Sequence, residues 1–259
     1  DVGEMGLSFP LRQRLTVSHR ECGGRKCPLF DECYYEEAKV RAAAADIIVT
    51  NHALLCFSTL RSDNKILPLR PALIVDEAHE LPGYAIGALS QTLEMETLAA
   101  VANHPLTQEI VPTSLRQAAM EHNGQFFAAL LERRPQRWSE RWDLQGEIQE
   151  GIRLGHALEE LERKLAAYKP ASGESAADDA LLRYAAELSG AVHALAHPES
   201  ESYIRYCEMD NSGNRREQDR LSAIYRPLEV AEPLSNSLFG AWPRIISTSA
   251  TLSVADDLG

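Results

Sequence analysis

The run Leu73-Ile74-Val75-Asp76-Glu77-Ala78-His79 sets two adjacent carboxylates at the end of a short apolar stretch. At the carboxyl end of a parallel strand, a carboxylate such as Asp76 can reach the Mg2+ of a nucleotide lying in the crevice outside the sheet. Glu77 beside it can orient or deprotonate an attacking water, and His79 can sense the γ-phosphate. An acidic pair also suits a helix N-terminus, where the dipole favours negative charge. The preceding apolar strand is the context that favours the chemical reading.

A second constellation lies upstream. Cys22, Cys27 and Cys33 have the form C-x4-C-x5-C, with Pro28 directly after Cys27. Thiolates at short loop spacing are what zinc and iron–sulfur sites require. A [4Fe–4S] cluster usually takes four thiolates, and three are within range here. His19 would complete a Cys3His zinc site. Taken alone, the cysteines suit zinc and iron–sulfur equally. Cys56 and Cys207 read instead as small buried apolar residues, as free cysteines usually are.

Weaker signals follow. Ser249-Ala250-Thr251 ends an apolar run, where short hydroxyls can hydrogen-bond the acidic motif across neighbouring strand ends, although such residues more often cap helices. Arg133, Arg134, Arg137 and Arg141 surround Trp138 and Trp142, and Arg12, Arg14, Arg20, Arg25 and Lys26 lie near the cysteines. Guanidinium groups with indoles can bind single strands. For the tryptophan group the reading preferred here is plainer, with core indoles beneath a solvated basic face. No Gly-x-x-x-x-Gly-Lys-Ser/Thr phosphate loop occurs, so the chain by itself should hold nucleotide poorly.

The elements that must position these residues change character along the chain. Residues 1–39 are rich in Gly, Cys and charge and read as a loop-dominated module held by its metal, with helix from Tyr34 to Ala45. Asp46–Thr50 and Ala72–Val75 read as buried parallel strands, and Asn51-His52 opens a short helix between them. After Pro82 the pattern reads as helix for more than a hundred residues. Leu154, Leu158, Leu161, Leu165 and Tyr168 form one stripe, and Leu181, Ala185, Leu188, Val192 and Leu195 another. With turn chemistry at 170–175 between them, they predict an antiparallel helical hairpin, with Phe126, Phe127, Leu130 and Leu131 packed nearby. Tyr203–Cys207 and Leu221–Tyr225 predict a strand hairpin, and Arg244–Leu252 a final strand ending in a hydroxyl-rich turn.

The chain has 259 residues, 44% hydrophobic and 25% charged, which suffices for a sizeable core. No apolar run approaches the ~20 residues of a membrane span. The reading is a soluble, cytoplasmic protein without membrane partners, its oligomeric state undetermined. A net charge of -12 argues against a uniformly basic nucleic-acid clamp but not against a basic groove. Five cysteines, an odd number, fit a reduced compartment better than a disulfide framework. Beginning at Asp1 rather than Met, the chain reads as a piece of something longer.

Three cysteines, then Asp46-Ile47-Ile48-Val49-Thr50-Asn51-His52-Ala53-Leu54-Leu55, Ile74–His79, a helical insertion and Ser247-Thr248-Ser249-Ala250-Thr251-Leu252, in that order, resemble the bacterial DinG/YoaA helicases, relatives of the XPD group in superfamily 2. The resemblance implies an α/β fold with a large helical insertion. Its parts would be an iron–sulfur module at 1–40, part of a RecA-like domain at 41–82, an Arch-like insertion at 83–230 and a return to the RecA-like domain at 231–259. It also implies an ATP-dependent 5′ to 3′ DNA helicase of repair or replication, acting on single-stranded and on forked or displaced-strand DNA. Asp76 would hold Mg2+ and Glu77 would be the catalytic base. His79 with Ser249, Ala250 and Thr251 would couple hydrolysis of ATP to strand movement, and Cys22, Cys27 and Cys33 would bind a [4Fe–4S] cluster. In that family the phosphate-loop lysine and a further cluster cysteine lie upstream of the equivalent of Asp1. Rival readings are a non-catalytic module binding zinc or iron–sulfur for nucleic-acid or protein interaction, and a related helicase acting on RNA.

Overall fold

The computed structural model describes residues 27–61, 66–136, 139–168, 176–198, 202–210 and 221–250. It is a mixed α/β chain that divides into two compact units.

Among the described residues, the unit that carries the acidic motif is built from 31–61, 66–92, 202–206 and 224–250. Helix α1 (Tyr34–Ala44) buries none of its residues. It is favoured locally instead: Glu36 and Glu37 occupy its first turn and Arg41 its last, each matching the helix dipole, and Lys39 Nζ pairs with Glu36 at 2.7 Å. Its last carbonyls are closed from a distance. The Arg70 guanidinium donates to the carbonyl oxygens of Ala42, Ala43 and Ala45 at 2.9, 2.8 and 2.9 Å. Helix α2 (His52–Leu60) starts where the sequence places a start, with Asn51 Oδ1 accepting from Leu54 N at 2.8 Å. Helix α3 (Leu81–Leu89) has Pro82 in its first turn, where a missing N–H costs nothing.

Helices α2 and α3 pack against a short parallel sheet. Strand β1 (Leu73–Val75) pairs with β6 (Ile245–Ser247) in the register Leu73 to Ile245, Ile74 to Ile246 and Val75 to Ser247. Leu55 and Cys56 of α2, Val75 of β1, Leu81 and Ala85 of α3, and Val230, Leu234 and Leu238 form the core beneath it. Val230 directly precedes a short helical turn (Ala231–Pro233), and Leu234 and Leu238 lie on the π-helix Leu234–Phe239 that continues it.

The expected strand at Asp46–Thr50 is not formed. Ile47 is 82% and Val49 93% exposed, and among the described residues β1 and β6 pair only with each other. A β-branched apolar run becomes a strand only where a neighbour accepts its backbone bonds, and none is present for this one among the described residues.

The other unit comprises Leu93–Pro198 and Cys207–Ala223, with residues 27–30. Its described helices are α4 (Thr97–Ala102), α5 (Pro105–Ile110), α6 (Thr113–Glu132), α7 (Gln149–Ala166) and α8 (Ala176–Ala196). The two leucine stripes meet as expected: Leu154, Leu158, Leu161 and Leu165 of α7 and Leu181, Ala185, Leu188, Val192 and Leu195 of α8 are all buried. The pairing is antiparallel, since Ile148 N donates to Ala196 O at 3.0 Å while Gly151 lies against Ala196 and Gly155 against Val192. Phe126, Phe127 and Leu130 of α6 are fully buried, whereas Leu131 is half-buried. Tyr168, past the end of α7, is 36% exposed and lies outside the stripe.

A second sheet has the order β2-β5-β4-β3, from β2 (Gln91–Glu94), β3 (Arg141–Asp143), β4 (Tyr203–Met209) and β5 (Leu221–Pro227). β4 and β5 are neighbours, in keeping with the expected hairpin, whose loop lies outside the described residues. β2 and β3 correct the reading of uninterrupted helix after Pro82. Both are short and polar, so no apolar run announces them. Trp142 of β3 is buried and its indole N–H donates to Leu130 O at 3.2 Å, with the Arg134 guanidinium 5.6 Å from its ring. The plain reading of Trp142 as core therefore holds; Trp138 and Arg137 lie outside the described residues.

Candidate functional site

The parallel pairing of β1 and β6 brings Asp76-Glu77-Ala78-His79 and Thr248-Ser249 to the same edge. Main-chain bonds continue the ladder past the strands: Thr248 N donates to Val75 O and Ala78 N to Thr248 O, both at 2.9 Å. The turn between them is strained. Glu77 has φ 47° and ψ 47°, in the left-handed region that residues with a Cβ enter at a cost. Glu80 N then donates to Glu77 O at 3.0 Å, opening the tight turn Ala78–Glu80.

Two hydroxyls of consecutive residues bond two members of the acidic motif. Thr248 Oγ1 donates to Asp76 Oδ1 at 2.7 Å. Ser249 Oγ lies 2.8 Å from His79 Nδ1, and the same ring nitrogen lies 3.3 Å from Glu77 Oε2. The Thr248 hydroxyl, then the Glu77 N–H, hold the Asp76 carboxyl below the usual aspartate range against a smaller cost of desolvation, with a minor contribution from the field of His52. Asp76 is thus ionised at neutral pH. His52 is fixed at the start of α2, its ring 5.4 Å from that of Tyr84.

Asp76, Glu77, His79 and Ser249, each singled out in the sequence, are therefore brought together. Ala250 follows directly on the chain, and Thr251 lies outside the described residues. Sequence reasoning missed Thr248 and His52 as site residues. The signal for Thr248 was its place inside the hydroxyl-rich turn, one residue before the triplet singled out.

An exposed, ionised carboxylate with one oxygen held by a hydroxyl fits Mg2+, which binds through one or two carboxylates and keeps phosphate and water as its other ligands. The cysteines do not yet make a metal centre. Cys27 and Cys33 are free and half-buried, while Cys22 and His19 lie outside the described residues. Among the described residues, no group of three or more His, Cys, Asp and Glu side chains is arranged to hold a metal ion. The described thiols fall short of the ligand set of a cluster. Cys56 and Cys207 are buried, and burial pushes their thiols up to about 11 and about 12, which keeps them protonated and inert. No helix among the described residues is long and apolar enough to cross a membrane.

No protein-family model matches the chain. Among characterised proteins it is similar to the ATP-dependent helicase DinG of Mycobacterium tuberculosis, 34% identical over 125 residues, which is 48% of this chain and 18% of that protein. The ATP-dependent DNA helicase YoaA of Haemophilus influenzae is 32% identical over 98 residues, 37% of this chain and 15% of the relative. The YoaA of Escherichia coli is 30% identical over 104 residues, 39% and 16% respectively. The chain thus spans less than a fifth of the length of these relatives. Over a third to a half of its own length, the chain is a relative of the ATP-dependent helicases named DinG and YoaA.

Proposed function

We propose that the chain is the iron–sulfur, Arch and partial motor region of an ATP-dependent DNA helicase, cytoplasmic, moving 5′ to 3′ on single-stranded DNA in repair or replication. The observation that supports this most is the paired strand end: Asp76, Glu77 and His79 following β1, held by Thr248 and Ser249 following β6. In this reading 1–40 is the cluster module with Cys22, Cys27 and Cys33 as ligands of a [4Fe–4S] group. Residues 41–82 and 231–259 are parts of the first RecA-like domain, and 83–230 is the Arch-like insertion.

Mg2+, when bound with ATP, supplies charge neutralisation at the phosphates. Asp76 would hold it through its carboxylate, which its hydrogen bonds keep ionised. Glu77 takes the proton of the attacking water, its carboxylate oriented by His79 at 3.3 Å. His79 is in turn tied to Ser249, so a change at the nucleotide reaches the strand that leads to Ala250 and Thr251. The DNA partner, forked or displaced-strand, would be engaged by the complete protein.

The test is unwinding by the full-length protein of duplexes carrying a 5′ or a 3′ single-stranded tail, with ATP and Mg2+. Unwinding of the 5′-tailed duplex alone is expected, with iron and acid-labile sulfide in the anaerobic preparation. Bound zinc without iron, and no ATP hydrolysis with or without DNA, would overturn it in favour of a non-catalytic metal-bound interaction module. Stimulation by RNA equal to that by DNA would overturn the assigned substrate.

A further inference from the structure

The backbone of Thr248 is held on both sides of the acidic pair. Its N–H donates to the carbonyl of Val75, immediately before Asp76, and its carbonyl accepts from Ala78, immediately after Glu77, both at 2.9 Å. Between these two bonds only χ1 separates the Thr248 hydroxyl from the rigid main chain. A β-branched residue is stiff at that torsion. The hydroxyl therefore arrives at Asp76 Oδ1, 2.7 Å away, from a fixed direction. The Glu77 N–H also bonds this carboxylate; a carboxylate held at two points keeps lone pairs for a further partner, whereas one held at a single point turns more freely about its side-chain torsions and loses entropy each time it binds.

From this geometry we infer that Thr248 is a positioning residue: its hydroxyl, added to the Glu77 N–H, fixes the Asp76 carboxylate so that it meets a nucleotide-bound divalent cation without prior reordering. The inference rests on Asp76 as the cation ligand. It assigns Thr248 a role separate from that of Ser249, which is bonded to His79 rather than to Asp76. Thr248 touches neither nucleotide nor water in this account and acts only through Asp76.

Valine keeps the branched shape of threonine without its hydroxyl, and serine keeps the hydroxyl without the branch. The experiment is a Mg2+ titration of DNA-stimulated ATP hydrolysis by the full-length protein carrying Thr248→Val, Thr248→Ser or Asp76→Asn, with thermal unfolding recorded for each. Thr248→Val is expected to raise the Mg2+ concentration for half-maximal rate about tenfold, with the maximal rate at saturating Mg2+ retained; this is the scale of one charge-assisted hydrogen bond, about 1.4 kcal/mol. Thr248→Ser should restore most of the Mg2+ dependence. An unchanged Mg2+ midpoint in Thr248→Val, with Asp76→Asn inactive, overturns the inference and leaves the reading of Asp76 standing. Equal losses in the Val and Ser variants, tracking a lowered unfolding temperature, also overturn it, since packing rather than the hydroxyl would then be at work. If Asp76→Asn hydrolyses ATP like the parent, the underlying reading of Asp76 fails, and the inference fails with it.

Discussion

Glu77 is the described residue other than glycine with a positive φ, and it falls on the carboxylate proposed as the base. A side chain in that conformation costs about 1–2 kcal/mol, which glycine does not incur. The turn is retained because Ala78 N and Glu80 N each find an acceptor only if the chain reverses there, Thr248 O and Glu77 O respectively. Hence Glu77→Gly should be more stable than Glu77→Ala by about 1 kcal/mol in urea unfolding, both lacking the carboxylate. Equal stability, or a more stable alanine variant, would mean the left-handed turn is not maintained in solution. At this scale the sequence was informative about residue type and silent about geometry. Asp76, Glu77 and His79 stood out by identity, whereas Thr248 became a partner only through the β1–β6 register, which no local pattern encodes.

Among the elements, the helices α7 and α8 were legible because their apolar period is regular and long. The leucine stripes of α7 and α8 are buried along their length. Their close approach depends on small residues facing each other. A Cβ on Gly151 would lie 2.8 Å from Phe126 Cε2 and 2.9 Å from Ala196 Cβ, while one on Gly155 meets nothing nearer than Val192 Cγ1 at 4.0 Å. Gly151→Ala is therefore expected to destabilise by roughly 1–3 kcal/mol through overpacking. Gly155→Ala should be neutral or stabilising by up to about 1 kcal/mol, from helix propensity. Thermal unfolding of the pair checks this, and a similar effect of both would contradict the antiparallel register. Short elements escaped sequence reading for the complementary reason. β2 and β3 span four and three residues and expose polar side chains, so their strand character comes from pairing alone. Asp46–Thr50 shows the reverse, a strand-like composition that finds no partner among the described residues.

At the scale of the whole molecule, the acidic strand end sits in a unit with its own apolar core, and a largely helical unit interrupts that unit in the sequence. In the sequence, the switch of apolar period after Pro82 and the return of strand pattern near Ser202 were the signal for a helical insertion. The metal module was legible only as cysteine spacing: Cys22 lies outside the described residues, and Cys27 with Cys33 does not define a site. The likeness to the DinG and YoaA helicases named above covers 37–48% of the chain, so the weight of the functional reading falls on the acidic motif itself. Its central claim is that Glu77 is the base for ATP hydrolysis. The most direct measurement is the DNA-stimulated ATPase rate of the full-length protein with Glu77→Gln, alongside ATP binding by the same variant. The account predicts a loss of at least about 100-fold in rate with ATP binding retained; a rate equal to that of the parent protein would contradict it.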